Sequence, residues 1–245
     1  DPKNLSALNS LGRIYHEKRD TKKAEKFFLD ALKIDGLSFQ VINNIAGFYR
    51  EEGKSNKAIE YYNKAITINP NNSYIYNNLS KTYFDLNRHD DAKENSFKAL
   101  KLKPNDGDAQ KTLSFIYLKD HDYENGWNYF DGRLSLNDFI VKNENIEKLN
   151  KKLFRKKVIS KSKSKFLIIR EQGVGDEILY GSMYGDLLKN IENITIECDP
   201  RLLSLFKRSF SEYSSRFVEL GSISSEDYKL EKIDYILYAG SLGKY

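Results

Sequence analysis

The apolar residues in the first half of the chain follow two helical stripes that recur every 34 residues. In the first period the stripes are Leu8, Leu11, Ile14 and Tyr15, then Ala24, Phe27, Phe28, Ala31 and Leu32. Their spacing of three and four residues is that of helices with one buried face. Residues that keep the step of 34 are Tyr15, Tyr49, Tyr83 and Tyr117, and Ala24, Ala58 and Ala92. The pattern predicts about four helical hairpins over residues 1–136.

The ends of the repeats carry turn residues. Pro70 and Pro104 follow the second helix of two repeats, and a proline ends a helix because it lacks the backbone N–H. Repeat one has its small, aromatic and alanine positions at Gly12, Tyr15, Ala24, Phe28 and Ala31. This order resembles the tetratricopeptide repeat, a helix-turn-helix motif of the same period. The resemblance implies an α-solenoid, and the altered fourth repeat, with Gly126 and Arg133, implies a terminal capping repeat.

Amide side chains recur on the first helices, which stacked hairpins of this kind present on a concave face. They are Asn9, Asn43, Asn44, Asn77 and Asn78. Amides pair with the backbone of an extended peptide through a donor and an acceptor. Arg50 and Lys81 add positive charge, which favours an acidic segment or a carboxylate terminus. We predict that these residues are exposed and bind a polypeptide partner; the alternative is that the amides only fill exposed positions.

The apolar pattern changes after Lys165 to short runs of branched residues that alternate with helical stripes. Strands are predicted over 166–169, 194–198, 217–220 and 233–238, and helices over 178–188 and 202–210. Alternation of this kind predicts a parallel sheet. Residues 165–245 are therefore interpreted as a partial Rossmann-like α/β domain, and residues 137–164 as a basic linker.

Two glycines stand where the first predicted strand meets a helix. Gly173 and Gly175 allow a tight turn at the carboxyl end of the strand, where ligands of open α/β sheets bind. A dinucleotide fingerprint requires a third glycine, and Ile178 occupies that place. An acid follows the second strand, as Glu197 or Asp199, so binding of NAD is disfavoured but stays open.

The stretch from Glu171 to Asp176 follows the repeats and a Gly126-Trp127 pair with Arg133 behind it. This combination resembles bacterial repeat-containing glycosyltransferases related to the heptosyltransferase family. The resemblance implies the N-terminal half of a two-domain GT-B enzyme, the acceptor side of a cleft for a nucleotide-sugar. It implies a catalytic carboxylate at Asp176, although an aspartate there also suits an N-cap. Residues predicted to line the substrate are Arg170, Glu171, Gln172, Gly173 and Gly175.

Two functions follow from these observations. The first is a fragment of a glycosyltransferase-like protein that is inactive alone and uses a nucleotide-sugar as substrate, with no other cofactor. The second is a non-catalytic interaction scaffold built on the repeats. The chain begins with Asp1 and stops at Tyr245 after a predicted strand, so we expect the α/β part to be incomplete.

The amino-acid composition limits the classes of partner that the chain is expected to bind. The net charge is +5, but nine basic residues and no acidic ones lie in 148–165, so the remainder carries 5 − 9 = −4. The negative charge of the remainder disfavours nucleic acid as a partner. The basic run at 148–165 is interpreted as a solvated linker, with an anion-binding patch as the alternative. A single Cys198 and the lack of a long apolar run suit the cytoplasm. His16, His89 and His121 lie apart in the repeats, and no metal site is predicted.

Overall fold

The computed structural model describes residues 4–135, 153, 164–171, 173–219 and 233–245. The chain divides into two compact units, residues 1–136 and 137–245. The predicted basic linker, 137–164, lies outside the described residues apart from Leu153 and Ser164.

Helical hairpins form the described part of the first unit. The helices are α1 (Leu5–Glu17), α2 (Thr21–Ile34), α3 (Phe39–Glu51), α4 (Ser55–Ile68), α5 (Ser73–Asp85), α6 (His89–Leu102), α7 (Gly107–Lys119) and α8 (Tyr123–Phe130), followed by a 3₁₀ turn at Asp131–Ser135. Two helices per repeat are thus confirmed. The odd-numbered helices are the first helices of their repeats.

Small residues let the paired helices approach closely. The alanines of the second helices, Ala24, Ala31, Ala58, Ala65, Ala92 and Ala99, are fully buried. In repeat one, a Cβ atom on residue 12 would lie 2.7 Å from the ring of Phe28, so Gly12 is required by packing. Repeat four has the same arrangement at Gly126, where a Cβ atom would lie 2.6 Å from the side chain of Leu118.

The turn within each hairpin contains one residue in the left-handed region. These residues are Arg19, Gly53, Asn87 and His121, with φ between 58° and 72°. They are 34 residues apart, so every hairpin reverses direction in the same way. Only repeat two uses the residue type that adopts this conformation without strain.

The second unit is built on a parallel sheet. Its strands are β1 (Phe166–Ile169), β2 (Ile194–Cys198), β3 (Phe217–Glu219) and β4 (Tyr235–Tyr238), and its α-helices in the described part are α9 (Val174–Gly181), α10 (Tyr184–Asn190) and α11 (Pro200–Ser209). The strand order is β3-β2-β1-β4, and the three pairings are all parallel. The predicted parallel sheet is therefore confirmed.

The elements of this unit differ from prediction at two places. The single helix predicted over 178–188 is two helices, because residues 182 and 183 form a turn in which the Ser182 hydroxyl donates to the Leu179 carbonyl. The fourth strand begins at Tyr235, two residues later than predicted; the Asp234 backbone N–H donates to the Lys165 carbonyl, and the Asp234 carboxylate accepts from the Lys165 backbone N–H. The third strand is described to Glu219, and Leu220 lies outside the described residues.

The core of the second unit is aromatic. Tyr184 is buried against the rings of Phe206 and Phe217, with centroid distances of 5.6 and 6.1 Å. Burial raises the pKa of the neighbouring Cys198 thiol to about 12, so this cysteine is a packed strand residue. Within the described residues of both units, no helix is long and apolar enough to cross a membrane.

Candidate functional site

A groove of about 470 Å³ lies along the first helices α3, α5 and α7. Its lining residues are Arg50, Glu51, Lys81, Phe84, Asp85, Asp108, Lys111, Thr112 and Phe115. The lining positions recur at the repeat period: Lys81 and Phe115 are equivalent, as are Glu51 and Asp85. The groove is therefore a product of stacking, because successive repeats present the same helix face.

Three cations meet in this groove. Lys81 Nζ lies 3.9 Å from Asp108 Oδ1, and no ion pair within the described residues involves Arg50 or Lys111. Burial lowers the pKa of Lys81; Asp108 opposes this shift, while repulsion from Arg50 and Lys111 adds to it. An anionic group that entered the groove would stabilise the charged amine.

Aromatic surface lies beside these charges. Phe115 is 42% exposed, and the Lys111 ammonium lies 5.7 Å from the centre of its ring. The Phe84 ring is covered by Lys119, at 5.0 Å, and stacks on His89, at 5.7 Å. The groove thus combines exposed aromatic area with three basic side chains and three acidic ones, the acids being Glu51, Asp85 and Asp108.

The asparagines predicted to bind a peptide mainly join neighbouring repeats. Asn44 donates to Asn9 Oδ1 at 3.0 Å, and Asn77 Oδ1 accepts from Thr112 at 3.0 Å. The prediction that these positions are exposed is wrong for Asn77, which is 1% exposed, and for Asn78, which is also buried. The packing of α5 between α3 and α7 covers them. Peptide contact by the predicted asparagines stays a prediction.

Arg50 and Lys81 are the two predicted peptide-binding residues that line the groove. The sequence interpretation missed Lys111, Phe84 and Phe115. Lys111 occupies the same position in repeat four as Asn9, Asn43 and Asn77 in the earlier repeats, so extending that series by one period would have found it.

The predicted substrate loop of the second unit lies at the carboxyl end of β1. Gly173 and Gly175 are exposed, and a Cβ atom on residue 175 would meet nothing within 4 Å. The N-cap of this helix is Gly173 and not Asp176; Asp176 is the third helical residue, and its Oδ2 accepts a hydrogen bond from the Gly173 backbone N–H at 3.4 Å. Gln172 lies outside the described residues. The catalytic role of Asp176 stays a prediction.

The other loop residues take part in buried polar contacts. Glu171 is buried and accepts a hydrogen bond of 2.6 Å from the Gly240 backbone, which ties the β1 loop to the segment after β4. Arg170 Nε lies 2.8 Å from Glu177 Oε2, and its Nη1 donates to Asp199 at 3.1 Å. Hydrogen bonds from Arg201 lower the pKa of Asp199. Substrate contact by Arg170 and Glu171 stays a prediction.

Most of the first unit matches tetratricopeptide repeats. Residues 5–36 and 73–106 match the family model described as tetratricopeptide repeat, and residues 48–87 match one described as TPR repeat. The sequence resemblance to this repeat is thereby confirmed. No curated protein sequence matches the chain.

Solved structures support the same fold. A crystal structure of MamA shares 22% identity over 58% of this chain and 84% of its own, with a TM-score of 0.50. PilF of Pseudomonas aeruginosa shares 24% identity over 59% of this chain and 64% of its own, with a TM-score of 0.50. A chain of the APC/C Cut9–Hcn1 hetero-tetramer shares 18% identity over 58% of this chain and 27% of its own, with a TM-score of 0.53. At these identities the likeness concerns the fold alone.

Proposed function

We propose that this protein is an interaction scaffold whose repeats bind an extended segment of another polypeptide. The observation that carries the proposal is the groove along α3, α5 and α7, where Arg50, Lys81 and Lys111 meet beside the exposed ring of Phe115. Tetratricopeptide repeats typically bind protein partners, and one of the similar structures, the APC/C Cut9–Hcn1 hetero-tetramer, is itself a protein assembly.

The charge of the groove indicates the chemistry of the bound segment. A carboxylate near Lys81 would relieve the repulsion that this amine experiences from Arg50 and Lys111. An apolar or aromatic side chain would cover the exposed face of Phe115. The expected ligand is therefore an extended segment that presents a carboxylate, from an acidic side chain or a chain terminus, next to an apolar side chain.

Peptide selection tests this proposal. A random peptide display library is selected on the intact chain, and an enriched peptide is synthesised and titrated by calorimetry. The double variant Lys81→Ala, Lys111→Ala should bind this peptide about tenfold or more weakly, which is roughly 1.4 kcal/mol. The matched control is Lys26→Ala, Lys64→Ala, whose lysines are exposed on the second helices. Unchanged affinity in the first variant, or no enriched peptide, contradicts the proposal.

A second candidate function is sugar transfer by the second unit in the full-length protein. The observation that favours it is the strand order β3-β2-β1-β4, which is also the order of the first four strands in doubly wound nucleotide-binding folds. On that basis the unit would be the Rossmann-like acceptor half of a GT-B cleft, with Gly173 and Gly175 facing the substrate. Asp176 would accept the proton of the acceptor hydroxyl.

The hydrogen bond of Asp176 weighs against this candidate, since the carboxylate already accepts from the Gly173 backbone N–H. Titrating the full-length protein with a panel of nucleotide-sugars tests it. Saturable binding of one of them, together with turnover that Asp176→Ala abolishes, would favour the candidate. No binding by a folded full-length protein would remove it and leave the scaffold.

A further inference from the structure

Lys81 presents a partly buried amine to the groove. Its side chain is 33% exposed, and its Nζ lies 3.9 Å from Asp108 Oδ1, which is too long for a hydrogen bond. The rings of Phe84 and Phe115 line the same groove, so apolar surface replaces part of the water around the amine. Burial lowers the pKa of Lys81 and thereby increases the fraction of neutral amine, which is the nucleophilic form.

Charged groups of both signs surround this amine. Repulsion from Arg50 and Lys111 adds to the lowering of the Lys81 pKa, and two aspartates oppose it. The acidic residues around the groove are Glu51, Asp85, Asp106 and Asp108. Asp108 pairs with Lys81, but its side chain is 55% exposed, so solvent weakens the attraction. An anion that enters beside the neutral amine therefore has two cations to bind it.

Lys93 is a partly buried lysine in the opposite environment. Its side chain is 24% exposed, close to the value for Lys81, but its ammonium donates a hydrogen bond to Asp120 Oδ2. This hydrogen bond raises the pKa of Lys93 and keeps the amine protonated. Exposure alone does not separate the two lysines, and Lys93 is the internal reference for a partly buried amine that should react slowly.

We propose that Lys81 is an acylation site, and that Arg50 and Lys111 bind the phosphate group of its acyl donor, an acyl phosphate. A guanidinium binds phosphate through two parallel hydrogen bonds, and an ammonium binds it as a point charge. Together they place the acyl carbon beside the Lys81 nitrogen.

The chemical step needs no other reactant. Lys81 first releases a proton to solvent, and the neutral nitrogen attacks the carbonyl carbon of the donor. A carbon–nitrogen bond forms, and the bond from that carbon to the phosphate oxygen breaks. The remaining proton on nitrogen passes to the leaving phosphate, so the products are an amide and hydrogen phosphate.

Acylation changes the charge of the groove. A neutral amide replaces the ammonium of Lys81, so the groove loses one of its three cations. The effect on peptide binding rests on the proposed function, whereas the acylation itself requires no peptide.

Acetyl phosphate is the probe that tests the site. The intact chain is incubated with it near neutral pH, and mass spectrometry of peptide fragments measures the initial acetylation rate at each lysine. Lys81 should react about fivefold or more faster than Lys93 and than the exposed Lys26. Inorganic phosphate should slow the reaction at Lys81 selectively, because it competes for the two cations. Equal rates at the three lysines would overturn the proposal.

Variants separate binding of the donor from reactivity of the amine. Arg50→Gln and Lys111→Gln should each slow acetylation of Lys81, while Arg13→Gln, at an exposed position of α1, is the matched control. Asp108→Asn should accelerate it, since this change removes a charge that repels the donor and stabilises the ammonium. Circular dichroism checks that each variant is folded.

A neutral donor, the N-hydroxysuccinimide ester of acetic acid, completes the test. Loss of Arg50 or Lys111 should slow acetylation of Lys81 more with acetyl phosphate than with this ester. An equal effect with both donors would overturn the phosphate site, because the cations would then act on the amine alone.

Protection by the selected peptide examines the proposed function separately. A saturating concentration of this peptide should slow acetylation of Lys81 and leave that of Lys26 unchanged. If Lys81 reacts as fast with the peptide as without it, the proposed function is contradicted and the acylation site stands.

Discussion

The hydroxyl of Thr112 donates a hydrogen bond of 3.0 Å to Asn77 Oδ1, and the two residues lie on the first helices of successive repeats. Asn9 and Asn44 join α1 to α3 in the same register, 35 residues apart. The amide series on the concave side is therefore part of the interface between hairpins. Because some of the amides stabilise the solenoid, replacing one of these asparagines should lower the free energy of unfolding.

Asn77→Ala should lower the free energy of unfolding by about 1–2 kcal/mol, since it removes a buried hydrogen bond and leaves a small void. The exposed Asn63→Ala should change it by less than about 0.5 kcal/mol. Urea denaturation followed by the helical circular dichroism signal measures both. Equal stability of the two variants would show that the bond to Thr112 contributes nothing.

Lys81→Met should stabilise the repeats while it weakens peptide binding. Burial lowers the pKa of Lys81 below its ordinary 10.5, so between the lowered pKa and 10.5 the unfolded chain binds more protons than the folded one. The free energy of unfolding of the unaltered chain should therefore rise as pH increases through that window. Lys81→Met should lack this rise and be the more stable protein near neutral pH.

Urea titrations over about pH 7 to 11 measure the pH effect. Lys26→Met, at an exposed position of α2, is the control and should keep the rise. A pH dependence identical in Lys81→Met and the unaltered chain would contradict the burial of this charge.

Substitutions at two of the left-handed turn residues should change the free energy of unfolding in opposite directions. Arg19 adopts φ 59° and Gly53 adopts φ 72° at equivalent positions. Arg19→Gly should raise the free energy of unfolding by about 0.5–1 kcal/mol, because it removes the clash between Cβ and the carbonyl oxygen. Gly53→Ala should lower it by about 1 kcal/mol. Thermal unfolding midpoints of the two variants check the signs, and a shift in the same direction for both would refute the argument.

Asp176 and Glu177 are adjacent carboxylates with different environments. Glu177 is 0% exposed, pairs with Arg170 at 2.8 Å and accepts from the Asp199 backbone N–H at 2.8 Å. Glu177→Ala should destabilise the second unit by about 3 kcal/mol, since it leaves buried partners uncompensated. Asp176→Ala should cost only about 1 kcal/mol, since it removes a single hydrogen bond from the backbone N–H of the N-cap residue Gly173.

Hydrogen exchange of the β1 and β2 amides reports the stability of this unit separately from the helices. Protection should fall strongly in Glu177→Ala and slightly in Asp176→Ala. If Asp176→Ala costs as much as Glu177→Ala, the helix cap does not account for the aspartate.

Local patterns in the sequence are sufficient to predict the elements of both units. Ala24, Ala58 and Ala92 recur at one step because each hairpin needs the same small contact, and a helix buries one face at a spacing of three to four residues. The four strands are predictable because buried parallel strands are short runs of branched residues. A break within a helical stripe, as at residues 182 and 183, leaves no such pattern.

The site is predictable only in part. Arg50 and Lys81 follow from the repeat period, since equivalent positions on stacked hairpins share a face. The expected exposure of Asn77 is wrong because periodicity identifies the concave side but not how deeply a neighbouring helix covers it. Asn43 Oδ1 is buried without a hydrogen-bond partner among the described residues, which the repeat period does not predict either.

The sequence by itself determined the repeat architecture and the parallel sheet, because both arise from residue type at a fixed spacing along the chain. Only the tertiary structure decided which polar groups face a ligand and which bind each other. Burial and hydrogen-bond pairing depend on distances between segments more than 30 residues apart, as for Asn77 and Thr112, which the order of residues along the chain does not specify.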